Sequence, residues 1–228
     1  VWGLDASKGI VWQYDNNGDS AISAYKMISF FKDFCVKGIG YCIPTYDKYR
    51  NELIFSIKNS EQTITIAYDN AKNRWSTFYS FTPEYFGAVG TNVVSFVNGE
   101  LWIMDKNSVY NNFFGVQYDS RLTIIPNDNS ELNKVWDCVK LENLEDANKM
   151  LNNWEVFNIT NNNGQQSRIL KNKFRKIEYF FYTSFLRDLN DISVTNPILN
   201  GRELRSPYLI LEMKNDTTQQ FQLRSVVI

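Results

Sequence analysis

The sequence predicts a mainly β fold, with antiparallel meanders or propeller-like blades followed by a second β-rich module with little helix. Three observations predict it. Aromatic side chains make up 15% of the 228 residues, and aromatic and β-branched residues suit the half-buried surface of a sheet. Many short segments alternate between apolar and polar residues with a period of two. Turn-forming residues separate these segments about every 8–12 residues, as in sandwiches, barrels and propellers.

The clearest predicted hairpin surrounds the stretch DNAKN. Before it, Ile64, Ile66 and Tyr68 share one face of an alternating run. After it, Trp75 opens a second alternating run. Since the stretch between the runs is rich in turn-favouring residues, we predict two antiparallel strands, with the Trp75 ring covering the end of the hairpin.

The same pattern recurs through the first half of the chain. The run GIVWQY precedes the turn DNNGD, and NELIFSI precedes TITIAY. The runs NVVSFV and LWIM meet across Asn98-Gly99, which is a strong hairpin signal because a type I′ turn needs positive φ at both central residues. Consecutive hairpins of this kind build the blades of propellers. A sandwich is the main alternative.

The alternating pattern breaks at Pro126, so we predict two domains. Residues 1–125 form a propeller-like β-meander, and residues 126–228 form a β-rich C-terminal module. In the second module, residues 144–154 are the best helical candidate. The final stretch, residues 208–228, is predicted to be a closing hairpin.

The segment KFRKIEYFFYTSFL is ambiguous between strand and helix. As one strand it places Ile177, Phe181 and Phe185 on the same face, and as a helix it directs Phe174 inward together with those three. Its aromatic density favours the strand.

Composition excludes several classes of chemistry. The chain contains no His, which removes Ser-His and Cys-His nucleophile pairs and imidazole metal sites. Its formal net charge of −1 provides no strong field to attract nucleic acid or a membrane. No apolar run approaches the roughly 18 residues needed to span a bilayer. The odd set of cysteines, Cys35, Cys42 and Cys138, argues against a disulfide framework.

The stretch DNNGDSAISAYK has part of a calcium-loop pattern. Asp15, Asn17 and Asp19 have the spacing of the first three EF-hand ligands. The sixth position is Ser20 instead of Gly, and the twelfth is Lys26 where the bidentate Glu belongs. We therefore interpret the stretch as a turn and predict neither a metal nor a cofactor.

The acids at predicted strand ends are the remaining candidates for catalysis. A glycosidase needs two carboxyl groups about 5 Å or about 6.5–9.5 Å apart, and no spacing in the sequence indicates such a pair. We therefore predict no catalytic residue and no enzymatic activity. The acids considered are Asp47, Asp69, Glu84, Asp105 and Asp119.

One basic run, RILKNKFRK, stands out. On a single strand, Lys171, Lys173 and Arg175 share a face, where they could contact the phosphates of DNA passing through a channel. The alternative is a solvated edge strand whose lysines discourage pairing with other strands.

The chain begins with Val1, without an initiator Met and already within a strand-like pattern. We expect an N-terminal portion of the same protein to precede it.

Five stretches along the chain form a pattern when they are taken together. They are WGLDASKGIVWQYDNNG, YDKYRNELIFSI, AYDNAKNRWSTFYSFTPEYF, LWIMDKNSVYNNFFGVQYDS and GRELRSPYLILEMKND. Together they resemble the tail muzzle of crAss-like bacteriophages, which is similar to the nozzle of other short-tailed phages.

The resemblance implies a virion structural protein made in the bacterial host cytoplasm. Its copies would form a ring, usually of six, at the distal end of the tail. The implied partners are further copies of the chain, its own N-terminal portion, neighbouring tail hub or ring proteins, and the phage DNA that passes through the channel. No membrane span is implied.

Two alternatives stay open. One is a carbohydrate- or receptor-binding propeller adhesin, in which Trp12 or Trp102 would stack on sugars. The other is a glycan-cleaving tail enzyme that works through carboxylates.

Overall fold

The computed structural model describes residues 1–16, 18–145, 153–171 and 173–228. The chain folds into two compact units, Val1–Ser108 (unit 1) and Val109–Ile228 (unit 2). The sequence places the division later, after residue 125. Because strand β13 (Ser120–Ile124) pairs with a strand near the C-terminus, the structure groups this segment with unit 2. The division into functional domains stays a prediction.

Unit 1 contains ten strands and one helix among its described residues. In chain order they are β1 (Trp2–Asp5), β2 (Ile10–Asp15), β3 (Gly18–Ala21), α1 (Ile28–Cys35), β4 (Ile39–Asp47), β5 (Glu52–Asn59), β6 (Thr63–Asp69), β7 (Arg74–Tyr79), β8 (Tyr85–Val89), β9 (Asn92–Val97) and β10 (Glu100–Ile103).

Every sheet of unit 1 is an antiparallel meander of consecutive strands. The orders are β1-β2-β3, β4-β5-β6-β7 and β10-β9-β8. The Asn98-Gly99 hairpin predicted from the sequence joins β9 to β10, and both residues have positive φ, 54° and 77°. The predicted hairpins between β5 and β6 and between β6 and β7 are also present.

The core of unit 1 is an aromatic-rich cluster around β5, β6 and helix α1. Register places Phe55 opposite Ile66, and both side chains are fully buried. Trp75 closes this cluster, with its ring centroid 4.9 Å from that of Phe31 on α1. Its indole N–H donates to the carbonyl oxygen of Ile22 at 3.1 Å. Trp75 therefore joins the β6–β7 hairpin to the helix.

Helix α1 was not predicted from the sequence. Its buried residues Phe31, Phe34 and Cys35 have the i, i+3, i+4 spacing of an amphipathic helix. With only two turns, the helix depends on this packing, since short helices are marginal in water.

Unit 2 contains twelve strands and one short helix among its described residues. In chain order they are β11 (Asn112–Phe113), β12 (Val116–Gln117), β13 (Ser120–Ile124), β14 (Lys134–Trp136), β15 (Cys138–Glu145), β16 (Trp154–Asn161), β17 (Gln166–Ile169), β18 (Arg175–Ile177), β19 (Phe180–Ser184), α2 (Pro197–Asn200), β20 (Leu204–Ser206), β21 (Leu209–Asn215) and β22 (Phe221–Val227).

Two four-stranded antiparallel sheets dominate unit 2, with orders β13-β21-β16-β17 and β18-β19-β15-β22. Buried side chains from both sheets belong to one hydrophobic cluster, for example Leu211 from β21 and Leu141 from β15. The two sheets therefore share one core, as in a β-sandwich. The pairs β11-β12 and β14-β20 form separate two-stranded sheets.

The predicted mainly β fold is confirmed, and no closed propeller is present among the described residues. Two predicted elements of unit 2 are wrong. The segment from residue 174 to 185 is a hairpin, since β18 and β19 pair across Glu178, which has φ of 55°. Strands β21 and β22 do not pair with each other, because each lies in a different sheet of the shared core. The helical candidate at residues 144–154 falls mostly outside the described residues.

No helix in the described part of the chain is both long and apolar enough to cross a membrane.

Candidate functional site

The acids that end strands in unit 1 organise the hairpin turns. Asp5, Asp47 and Asp69 each accept hydrogen bonds through Oδ1 from the backbone N–H groups two and three residues later. The N–O distances are 2.8–3.2 Å. These hydrogen bonds satisfy backbone donors inside the loop, as in an Asx turn.

The three loops also share a sequence pattern. Each begins with Asp, has Lys or Arg three residues later, and ends in Gly9, Asn51 or Asn73. These last residues have positive φ values of 64°, 55° and 50°, a backbone conformation that Gly and Asn adopt more readily than other residues. The pattern D-x-x-[KR]-[GN] therefore specifies one type of four-residue hairpin loop, which was not predicted from the sequence.

The other acids considered for catalysis also have structural partners. Glu84 accepts from the N–H of Asn98 at 3.1 Å. Asp105 pairs with Arg50 at 2.8 Å, and burial raises the pKa of the Asp105 carboxyl. Asp119 pairs with Arg121 at 3.1 Å, in unit 2. The described structure thus gives each of these acids a structural role in a turn or an ion pair.

The calcium-loop pattern is part of a hairpin. Asp15 lies at the end of β2 and Asp19 lies in β3, while Asn17 lies outside the described residues. Among the residues that the structure describes, no group of three or more His, Cys, Asp or Glu side chains is placed to hold a metal ion.

The turn role of Asp47 gives a testable prediction. Its side chain is buried, so Asp47→Ala leaves the N–H groups of Tyr49 and Arg50 without this acceptor. We expect the variant to lose about 1–2 kcal/mol of unfolding free energy, because it removes two hydrogen bonds to a charged acceptor in the turn. Urea unfolding measures the loss. Asp47→Asn keeps an acceptor oxygen and is the matched control, so equal losses in both variants would contradict the turn role.

The tryptophans proposed for sugar stacking are only half-exposed. Trp12 lies against Gly3 so closely that a Cβ on Gly3 would come within 2.5 Å of the indole ring. Trp102 is also half-buried, in β10. The adhesin alternative stays a prediction, and the placement of these two rings does not favour it.

Unit 1 presents an apolar sheet face on its three-stranded sheet. Register aligns Tyr85, Phe96 and Leu101 in one row across β8, β9 and β10, and Val94 and Ile103 lie in the next row. Tyr85, Leu101 and Ile103 are 57%, 60% and 52% exposed. We call this surface the apolar sheet face. Its members are Tyr85, Val89, Val94, Phe96, Leu101 and Ile103.

Unit 2 contains a groove beside the edge strands β17 and β18. It has a volume of about 580 Å³. Three cationic side chains line it, Arg168, Lys173 and Arg175, together with aliphatic residues that include Leu170 and Ile177. The described lining contains no acid. We call this surface the basic groove.

The basic groove comes from the basic run singled out in the sequence, although not as one strand. Strand β17 ends at Ile169 and β18 begins at Arg175, so the run is divided between two sheets. Lys171 does not line the groove, and its Nζ forms an ion pair with Asp216 Oδ1 at 2.5 Å. Arg168, which the single-strand interpretation left out, lines the groove with Lys173 and Arg175.

A second cavity in unit 2, of about 730 Å³, is lined by paired charges. Arg187 and Arg205 both contact Glu203, at 3.1 Å and 2.8 Å. Nearby, Arg202 contacts Asp191 at 3.3 Å. Because these charges already compensate one another, this cavity is a weaker candidate for a charged ligand than the basic groove.

Asp191 makes unit 2 sensitive to acid. Its side chain is 1% exposed and accepts hydrogen bonds from Ser193 and Arg202. The hydrogen bond from the Ser193 hydroxyl is the largest cause that lowers the pKa of this carboxyl from its ordinary value of 3.8 to about 2. A carboxyl group with a lower pKa in the folded than in the unfolded state stabilises the fold at pH values above its unfolded-state pKa. This stability is lost as the pH falls towards its folded-state pKa.

We therefore expect Asp191→Asn to flatten the fall in unfolding midpoint between about pH 4 and pH 2. Thermal unfolding at a series of pH values measures this dependence. Glu131→Gln, which removes an exposed carboxylate, is the control and should keep the wild-type profile. An unchanged profile in Asp191→Asn would contradict the assignment.

The comparisons with known proteins concern mainly unit 2. Residues 108–188 match the family model of the Crassvirus muzzle protein C-terminal domain. The match confirms the resemblance stated for the sequence, and the family name is consistent with a structural role in a virion tail. No curated protein matches the chain. The matched segment includes all three cations of the basic groove.

Proposed function

We propose, from the muzzle-protein match of residues 108–188, that this chain is a structural subunit of the distal tail muzzle of a short-tailed phage. In this proposal, copies of the chain form a ring, with six as the expected number, around the channel through which the genome leaves. Neighbouring tail proteins hold the ring in the virion.

The match is the observation that carries the proposal, and the surface of unit 1 supports it. Monomeric proteins rarely expose large contiguous apolar patches. The apolar sheet face has large side chains aligned in register over three strands. We assign this face to contact with a second copy of the chain, because two of the strands that carry it, β8 and β10, are also unpaired at their outer edges within the described structure.

The charge of the chain supports passage of DNA. With a formal net charge of −1, the subunit produces no strong field that would hold a polyanion. Tight DNA binding needs many Lys and Arg contacts to phosphates. A nearly neutral wall lets the genome move past without being held.

The proposed role is mechanical. The absence of His removes the commonest general base, and the acids considered for catalysis serve turns and ion pairs in the described structure. The subunit would therefore act through its shape and its contacts.

The test is to locate the chain in intact particles. Antibodies raised against the purified chain should label the distal end of the tail in electron micrographs, and a cryo-EM map should contain its two units there in a ring. Antibodies against the major capsid protein are the control and should label only the head. Particles whose tails lack the chain would overturn the proposal.

A further inference from the structure

We propose that the basic groove receives the acidic loop of a second copy of this chain, so that unit 2 makes a head-to-tail contact between neighbouring subunits. The acidic loop is the segment of residues 125–133 between β13 and β14. This inference rests on the proposed function, because it specifies how subunits of the ring would join.

The positive charge of the groove is uncompensated. Arg168, Lys173 and Arg175 have no side-chain ion pair, hydrogen bond or ring contact among the described residues. Each of the other described Lys and Arg side chains of unit 2 belongs to a residue with an ion pair, hydrogen bond, ring contact or other electrostatic interaction. The three cations without a partner in the described part of unit 2 thus converge on one groove.

The acidic loop offers the opposite charge. Asp128 and Glu131 are exposed, and neither carboxylate has a partner among the described residues. The Lys134 ammonium donates a hydrogen bond to the backbone carbonyl oxygen of Asp128 and leaves the Asp128 carboxylate available. Two free carboxylates on one loop suit a groove lined by Arg, since Arg and carboxylate form charge-assisted hydrogen bonds.

The acidic loop and the basic groove also present apolar side chains that can pack against each other. Leu132 is 61% exposed and Ile125 is 54% exposed at the two ends of the acidic loop. The groove presents Leu170 and Ile177, which are exposed as well. Contact between these aliphatic groups would remove apolar surface from water.

The groove fits a protein loop better than a nucleic acid. Proteins that bind single strands combine a basic groove with aromatic rings on which the bases stack, whereas most of the apolar lining here is aliphatic.

The geometry of the contact also suits a ring. The groove and the acidic loop are different surfaces of one unit, so the contact is heterologous, and each subunit has one free groove and one free loop. Heterologous contacts that close produce rings.

The test uses two charge-reversal variants of the full chain. The groove variant carries Lys173→Glu and Arg175→Glu, and the loop variant carries Asp128→Lys and Glu131→Lys. Sedimentation velocity at low salt should show association at least about tenfold weaker than wild type in each variant. Raising the salt should weaken wild-type association, because it screens exposed charges.

An equimolar mixture of the two variants is the decisive sample. The intact groove of the loop variant can accept the intact loop of the groove variant, and the reversed groove and the reversed loop also carry opposite charges. Association should therefore return in the mixture, although each variant alone has lost it. Arg224→Glu, with its charge reversed elsewhere on unit 2, is the matched control and should associate like wild type. Circular dichroism verifies that every variant is folded.

Two results would overturn the inference. One is a wild-type chain that stays monomeric at low salt. The other is wild-type association in either charge-reversal variant; if the groove variant also loses binding to a labelled single-stranded oligonucleotide, the groove is assigned to nucleic acid. Either result leaves the labelling of phage tails unaffected, so it can be distinguished from failure of the proposed function.

Discussion

Phe55→Ala is expected to lower the free energy of unfolding by about 3–5 kcal/mol, the range for truncating a large buried aromatic side chain. Phe55 lies in the middle of β5, is fully buried, and has its ring centroid 6.0 Å from that of Trp75. The cavity would separate β5 from the Trp75 ring that joins the hairpin to α1. Urea unfolding followed by tryptophan fluorescence measures the loss.

The control for this prediction is Phe78→Ala. Phe78 lies in β7 of the same sheet, opposite Ile66 across β6 and β7, but is 53% exposed. Removing the same aromatic group there should cost about 1 kcal/mol, because the half-exposed ring loses little burial and mainly its edge contact with Phe30, at 5.4 Å between ring centroids. Similar losses in the two variants would contradict the placement of Phe55 in the core.

The strands of unit 1 could be predicted because their determinants are local. In β6, alternating residues separate Ile64, Ile66 and Tyr68 onto one face, and the structure packs all three in or against the core. The Asn98-Gly99 turn needs only two residues with positive φ. Neither feature depends on what lies elsewhere in the chain.

The errors in unit 2 have a different cause. Residues 174–185 contain no Gly, Pro, Asn or Asp that would mark a turn, and only the positive φ of Glu178 reveals the turn between β18 and β19. Glu is not a typical residue for this conformation, so the sequence carries no strong signal for it. Strands β21 and β22 pair with distant segments, in two different sheets, and adjacency in sequence suggested a hairpin instead.

The basic groove shows the same limit. The sequence identified the basic run, but convergence of Arg168 with Lys173 and Arg175 depends on the chain leaving β17 and entering a strand of the other sheet. The absence of partners for these cations is likewise a property of the folded unit, since Lys171 from the same run is paired with Asp216. The positive charge of the basic run was predictable from the sequence, whereas the side chains that lack an acidic partner in the described part of the folded unit were not.

The recurring hairpin loop leads to the second prediction with a large expected effect, Gly9→Ala. Gly9 ends the loop after Asp5, with φ of 64°. A Cβ at this position would lie 2.6 Å from the Lys32 Cα and 2.8 Å from the Lys32 backbone nitrogen. The backbone of a helix cannot move away from the added Cβ as a flexible side chain can. Backbone strain of about 1–2 kcal/mol for Ala in this conformation therefore adds to an overpacking cost of about 1–3 kcal/mol.

Gly90→Ala separates these two costs. Gly90 has nearly the same φ, 63°, but no atom lies within 4 Å of the position of its added Cβ. We expect this control to lose only the strain of about 1–2 kcal/mol, so equal losses in the two variants would show that α1 does not press on the loop.

Gly9→Asn tests the close approach of α1 with a residue that tolerates the backbone conformation of the turn. Asn51 and Asn73 hold the equivalent position in the other two loops, with φ of 55° and 50°, so Asn is compatible with the backbone of the turn. Its Cβ still meets the backbone of Lys32. If the close approach of α1 is what requires glycine at residue 9, thermal unfolding should show that Gly9→Asn remains clearly less stable than wild type, even though asparagine serves the same loop elsewhere in the unit.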